Sequence, residues 1–264
     1  MEGQVSAGAS MAEAPSAILL DLDNTLYPYE PARQAAMKAV RRKAAGDLGL
    51  GARRFDRAFA EARAAVKAQL GPVAASHSRL LYFQRMLEML GMKSQPLMAL
   101  DFEQTYWRAF LLAMRLHAHA GGFLGAAREL GIRLGIVTDL TAQIQFRKLV
   151  RLGLDPYFDT VVTSEEAGAN KPAAAPFLLA RERLRLGTED RVWMVGDDAE
   201  ADLAGAKRHL GARTFLFRPN PAGGGTQDGV DVTFRNFGEL MGLLTGAAGD
   251  TGRAAHLLEP GPAG

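Results

Sequence analysis

The sequence predicts an α/β fold in which a parallel sheet is interrupted early by an all-helical insert. Three observations predict it. Short apolar runs at residues 17–20, 132–137, 160–162, 192–195 and 214–217 have the length and composition of buried strands. Helix-length stretches separate the later runs, as the crossovers of a parallel sheet require. Residues 32–115, between the first and second runs, carry helix formers and no convincing strand.

The elements follow in order. Residues 1–16 are rich in Ala, Gly and Ser and are expected to be flexible. They lack a basic start followed by an apolar run, so they do not read as a signal peptide. The first strand, 17–20, ends in the polar loop Asp21-Leu22-Asp23-Asn24-Thr25. The insert, expected over 30–117, opens with Ala35, Ala36, Ala39 and Val40 at helical spacing. Phe55, Phe59 and Ala62 form a second stripe, and Leu80, Leu81, Phe83, Met86, Leu87 and Leu90 a third. Trp107, Phe110, Leu111 and Met114 form a fourth. Their default role is helix packing. Gly71-Pro72, Gly91 and Gln95-Pro96 break the stretch between them. The α/β pattern then resumes. Residues 143–152 place Ile144, Leu149 and Leu152 near one helical face, and 173–185 and 200–210 read as further helices. Residues 219–229 form a Gly/Pro-rich loop, 232–234 a last strand and 239–244 a short helix. The core is therefore expected over 17–29 and 118–246, with a loose tail over 247–264.

Composition narrows the partners. The 264 residues are 48% hydrophobic and 23% charged, enough for a sizeable core and against extensive disorder. Net charge is only +2, and Arg41-Arg42-Lys43 and Arg53-Arg54 read as solvated helix faces. No nucleic-acid partner is expected without basic residues converging on one face. No uncharged apolar stretch is long enough to span a bilayer, so no membrane partner is expected. The absence of Cys excludes disulfides, thiolate metal sites and thiol nucleophiles, and it suits a reducing, cytoplasmic setting.

Two acidic clusters follow predicted strands. Asp21 and Asp23 are two positions apart, so an extended segment points both the same way. Asp197, Asp198 and Asp202 follow the 192–195 run, with Gly196 as the break. Either cluster alone is compatible with helix capping. Together, at the C-terminal ends of neighbouring parallel strands, they read as a ligand site. Hard carboxylate donors without His or Cys favour Mg²⁺, which bridges protein carboxylates and phosphate oxygens. Thr138, after 132–137, is suited to holding a phosphoryl oxygen. Lys171, before Pro172, is suited to offsetting carboxylate and phosphate charge.

These residues resemble the haloacid dehalogenase-like hydrolase superfamily. Asp21-Leu22-Asp23-Asn24-Thr25-Leu26 is similar to its first motif, Thr138 to its second and Lys171-Pro172 to its third. The stretch from Gly196 through Asp202 is similar to its acidic fourth motif. The resemblance covers about residues 17–218 and implies a Rossmann-like parallel sheet with an inserted helical cap of the first type. Gln145, Lys148 and Leu149, with Leu152-Gly153-Leu154 and Tyr157-Phe158-Asp159, resemble the phosphatase-rich branch with such caps. The resemblance implies Mg²⁺-dependent hydrolysis of a small phosphate monoester through an aspartyl-phosphate. It assigns Asp21 as nucleophile and Asp23 as general acid, then base. It assigns Thr138 to the phosphoryl group and Lys171 to steadying Asp21. The metal would be held by Asp21, the Asp23 backbone carbonyl and Asp197, with Asp202 in support and Asp198 as a further helper.

Dehalogenating members lack the acid two positions after the nucleophile, so Asp23 favours phosphate-ester hydrolysis over dehalogenation. Phosphonate cleavage, sugar phosphomutation and a non-catalytic binding or regulatory role are the alternatives. Asp139 departs from the family pattern beside Thr138 and is a candidate substrate contact acting on the hydrogen bonding around the phosphate. His77 and Arg79 are candidate cap contacts. Arg79 suits a second anionic group on the substrate, against the alternative of a surface salt bridge. Tyr82 and Arg85 are weighed as cleft residues, and Tyr106 and Trp107 as packing residues. His117 and His119 read as loop or packing residues. The expected partner is a small phosphorylated metabolite such as a sugar phosphate or nucleotide; monomer and homodimer are equally compatible.

Overall fold

The computed structural model describes residues 14–220 and 229–249. Most of the predicted flexible start, most of the Gly/Pro-rich loop and most of the tail lie outside the described residues.

The core is a six-stranded sheet: β1 (Ala17–Leu20), β2 (Arg133–Thr138), β3 (Thr160–Thr163), β4 (Val192–Gly196), β5 (Arg213–Phe217) and β6 (Val232–Phe234). Its order is β3-β2-β1-β4-β5-β6, and every pair is parallel. β1 is buried throughout, as its unbroken apolar run predicts. Leu20 pairs with Ile136 on one side and Val195 on the other. The chain leaves β1 toward β2 and leaves β4 toward β5. The crevice between β1 and β4 is therefore the switch point where open parallel sheets bind ligands. Gly135 in β2 has a packing reason: a Cβ there would stand 2.9 Å from Leu19 Cδ2.

The insert is four helices: α1 (Tyr29–Leu48), α2 (Ala52–Leu70), α3 (Arg79–Met89) and α4 (Pro96–Ala113). A short 3₁₀ turn, Ala74–His77, joins α2 to α3. Ala32, Ala36, Val40 and Ala44 recur every fourth residue on α1 and are buried. Their small size lets α1 lie close along α4, whose Phe102, Tyr106 and Phe110 fill the seam. Ser78 caps α3 by accepting a hydrogen bond from Leu81 N–H, and Pro96 opens α4. The aromatic residues of the insert and one face of the sheet form a continuous hydrophobic cluster. Burial of that shared face fixes the insert against the core.

The core helices are α5 (Ala120–Glu129), α6 (Ala142–Leu152), the short α7 (Ser164–Ala167), α8 (Ala174–Arg183), α9 (Gly205–Leu210) and α10 (Phe237–Gly249). The expected helix over 200–210 begins instead as a π-helical turn, Ala199–Ala204. α5 packs on α10, and α8 packs on α9. The expected core limit at residue 246 falls inside α10. Phe237, Leu240, Leu244, Ala247 and Ala248 are all buried, because the helical spacing of apolar residues continues. At the other end, Ala14 is buried and Ser16 N–H donates to Arg191 O at 2.8 Å, so order begins ahead of residue 17. No helix among the described residues is long and apolar enough to cross a membrane.

Candidate active site

The site begins where β1 ends. Asp21 N–H donates to Val195 O at 2.9 Å, so the loop after β1 is stitched to β4. Leu22 is fully buried in the core. Alternation then sends Asp21 and Asp23 to the opposite side. Asn24 turns the chain in the left-handed region, at φ 66°, and its Oδ1 accepts from Tyr29 N–H. Thr25 Oγ1 donates to Asp21 Oδ2 at 3.1 Å and lies 3.5 Å from Asp197 Oδ1.

Lys171 gathers the acids. Its Nζ donates to Asp21 Oδ1 at 2.7 Å, Asp202 Oδ1 at 2.6 Å and Val137 O at 2.9 Å. All three side chains are nearly buried. Asp202 Oδ2 accepts from Asp198 N–H at 3.1 Å. Gly196 is required for that approach, since a Cβ there would stand 2.3 Å from Asp202 Oδ2. Asp198 itself caps the π-helical turn, accepting from Glu200 and Ala201 N–H at 3.0 and 2.9 Å. Its carboxylate serves the backbone there, which places it on the capping reading of this cluster.

Asp21, Asp197 and Asp202 each present a carboxylate oxygen, all within 4.8 Å of one another. Burial raises Asp21 against the opposing charge of Lys171, and Asp202 and Asp23 raise it further. Burial and the Asp21 charge push Asp197 up to about 6. Three acids around one Lys leave excess negative charge in a dry site. A hard divalent cation with oxygen ligands answers that excess, so the residues fit Mg²⁺. The Asp23 carboxylate points elsewhere; its expected metal contact is through the backbone carbonyl.

Asp23 is instead held by groups from α6. Lys148 Nζ lies 2.7 Å from both Asp23 carboxylate oxygens, and Tyr27 Oη donates to Oδ1. Burial works to raise the Asp23 carboxyl, but Lys148 outweighs it and holds the group below its ordinary value. Gln145 Nε2 donates to Thr138 Oγ1 at 2.6 Å and to Asp139 O at 3.0 Å. Gln145 and Lys148 were not among the candidate site residues. The available signal was helical phase: Lys148 stands four residues after Ile144, on the face that α6 buries. A cation on a buried face needs a partner.

The remaining candidates fall as follows. Asp139 Oδ1 accepts from Lys171 N–H at 3.0 Å, so its carboxylate holds the Lys171 loop. Asp139, His77 and Arg79 all line a cavity of about 670 Å³ that also meets Asp23, Asn24 and Lys148. The salt-bridge alternative for Arg79 does not hold among the described residues. It donates to His77 O at 2.6 Å and to Tyr29 Oη. Tyr82 and Tyr106 line the same cavity, while Arg85 pairs with Glu88 outside it. Trp107 is buried against Tyr106 and Phe110, and His117 packs on Phe217. His119 takes a left-handed turn ahead of α5.

Comparisons with known proteins give a family and a fold. A family model described as haloacid dehalogenase-like hydrolase matches residues 15–209. The ribulose-1,5-bisphosphate 5-phosphatase of Halopiger xanaduensis is 42% identical over 87% of this chain and 99% of its own length. The glyceraldehyde 3-phosphate phosphatase of Methanocaldococcus jannaschii is 31% identical over 72% of this chain and 79% of its own. Among solved structures, magnesium-bound YfnB of Bacillus subtilis superposes with a TM-score of 0.67 at 20% identity, over 88% of this chain and 99% of that one. A 2-haloacid dehalogenase of Pseudomonas syringae gives 0.69 at 23% identity, over 86% and 96%. At these identities the structural likeness speaks for fold alone.

Proposed function

The chain belongs to the haloacid dehalogenase-like hydrolase family, and from that premise we propose that it is a Mg²⁺-dependent phosphatase using Asp21 as a covalent nucleophile. The observation that carries this reading is Asp23, beside Asp21 and held by Lys148 and Tyr27. The fold does not discriminate here, since dehalogenases share it. A halide leaves without a proton, whereas an alkoxide needs one, and Asp23 is the group that supplies it.

Asp21 attacks phosphorus and forms the acyl-phosphate bond while the bond to the alcohol oxygen breaks. Asp23 gives that oxygen its proton. Asp23, now ionised, takes a proton from water, and the hydroxide displaces phosphate from Asp21. The two displacements regenerate the free carboxylate and split one hard step into two. Lys148 favours ionised Asp23, which suits the second step. For the first step, an arriving phosphate dianion raises Asp23 toward its protonated form by like-charge repulsion. Thr138, fixed by Gln145, offers its hydroxyl to a phosphoryl oxygen. Lys171 orients Asp21 and offsets charge on the transferring group. Asp21, Asp197 and Asp202 would hold Mg²⁺, which supplies charge neutralisation between nucleophile and phosphate.

The substrate class proposed is a small phosphorylated sugar. The cavity is of small-metabolite size. The two curated relatives named above act, by their names, on a sugar bisphosphate and a triose phosphate. That supports sugar phosphates over nucleotides.

The test is hydrolysis of p-nitrophenyl phosphate with and without Mg²⁺. Turnover that needs Mg²⁺ is expected. A folded protein that turns over neither this ester nor a panel of sugar phosphates would be a binding protein instead.

A further inference from the structure

The cavity that meets Asp23 continues into the insert, where its walls are basic. Arg33, Arg41, Arg63, Lys67, His77 and Arg79 all line it. Two of these cations are answered locally: Arg33 by Glu30 and Arg41 by Asp56, each at 2.6 Å. Arg63, Lys67 and Arg79 have no carboxylate within salt-bridge reach among the described residues.

Arg79 is held rigidly without a counter-charge. Its guanidinium lies 5.1 Å from the Trp107 ring centroid, 5.5 Å from Tyr106 and 5.8 Å from Tyr82. It also donates to His77 O and Tyr29 Oη. The ring faces offset part of the cost of a half-buried charge, about 0.5–2 kcal/mol each. They do not neutralise it. The convergence is felt at His77, which burial and then Lys67, Arg79 and Arg63 push down to about 4, against a small opposing pull from Asp23.

This wall is not needed for the chemistry at Asp21. Mg²⁺ ligation, phosphoryl binding and proton transfer are all assigned to residues of the core. The basic wall belongs to the insert, in the same cavity as Asp23. A carboxylate would answer only one positive charge. A phosphate monoester brings close to two charges and three acceptor oxygens.

We propose that Arg63, Lys67 and Arg79 form a second-phosphate site, so that the preferred substrate is a small sugar carrying two phosphate groups. One phosphate is presented to Asp21 and hydrolysed; the other is held by the insert and stays on the product. The inference rests on the phosphatase reading and adds what that reading leaves open: which sugar phosphates the cavity selects. Arg79 orients the phosphate through a rigid fork, while Lys67 and Arg63 add charge from α2.

The experiment separates binding from turnover. Calorimetric titration of the full-length Asp21→Asn variant with Mg²⁺ compares ribulose 1,5-bisphosphate and fructose 1,6-bisphosphate with ribulose 5-phosphate and fructose 6-phosphate. At least one bisphosphate is expected to bind about tenfold or more tighter than its monophosphate, with a steeper loss in salt. Lys67→Gln and Arg63→Gln, each added to that variant, are expected to cut the bisphosphate-to-monophosphate affinity ratio about fivefold or more. Both positions lie outside the aromatic stack that holds Arg79, so loss of folding does not confound them. Ratios near one for both sugars, or ratios unmoved by both substitutions, would overturn the second-phosphate site. In that case Mg²⁺-dependent p-nitrophenyl phosphate turnover by the unmodified enzyme would leave the phosphatase reading intact. Failure of that turnover across all esters would overturn the phosphatase reading and this inference with it.

Discussion

Lys148 Nζ lies 2.7 Å from both carboxylate oxygens of Asp23, although 125 residues separate the two. The Lys side chain is fully buried, whereas Asp23 keeps 27% exposure toward the cavity. The ammonium also lies within 6.0 Å of the Tyr27, Trp107 and Phe110 rings. One cation therefore ties the loop after β1, helix α6 and the α4 face of the insert together.

Lys148→Met removes that cation and leaves Asp23 facing a hydrophobic wall. Stability is expected to fall by about 2–4 kcal/mol, the lower part of the range for a broken buried pair because Asp23 is partly solvated. Without Lys148, the Asp23 carboxyl rises from its depressed value. The pH–rate limb that reports Asp23 is expected to move to higher pH. Urea melts and a pH profile of kcat/KM check the two parts; an unmoved limb would contradict the role given to Lys148.

Asp21→Asn keeps the shape of the side chain and removes the nucleophile. Turnover is expected to fall by about 10³-fold or more. Folding is expected to change little. The substitution takes one negative charge from a crowded acidic site, while Lys171 keeps Asp202 at 2.6 Å. Retention of more than a small fraction of activity in a stably folded variant would be incompatible with covalent catalysis at Asp21.

Gly196→Ala places a Cβ where Asp202 Oδ2 now stands. The acid must move, and it takes with it both the Lys171 contact and the third carboxylate of the cluster. A stability loss of about 1–3 kcal/mol is expected from the forced shift. Mg²⁺ affinity is expected to drop about tenfold or more, read as the Mg²⁺ concentration at half-maximal activity.

The metal-free protein should respond to pH through Asp197. Its folded value, about 6, lies above the ordinary value of 3.8. The folded state then binds the proton more tightly than the unfolded chain. This contribution is fully present below pH about 4 and is lost as pH rises through about 6, a change of about 2–3 kcal/mol. Mg²⁺ should restore stability increasingly over the same window. The measurement is Tm against pH, with and without Mg²⁺, for the unmodified chain and Asp197→Asn. The Asn variant should lack this component, and identical profiles for the two proteins would refute the assignment.

Much of this site was legible in the residue order. The acids at 21, 23, 197 and 202 follow apolar runs, and a run of four to six apolar residues ending in carboxylates has few structural readings besides a strand leading to a ligand site. Lys148 and Gln145 were less legible. Each sits in an ordinary amphipathic helix, and only the crossing of α6 over the β1 loop turns them toward Asp23 and Thr138. Asp198 shows the converse. Its position beside Asp197 suggested metal chemistry, yet two backbone N–H groups of the following turn claim its carboxylate.

By itself the sequence determined the strands, the helical character of the insert and which acids end which strands. Those features follow from local periodicity and from the cost of burying charge, which act over a few neighbouring residues. Only the tertiary structure decided that Lys171 bridges Asp21 and Asp202, that Lys148 faces Asp23, and that Arg63, Lys67 and Arg79 share one wall. Those relations depend on strand order and helix crossing, which bring together side chains far apart in the chain. Electrostatics acts through space, so the charge balance of a site is set where the chain returns, not where its residues are written.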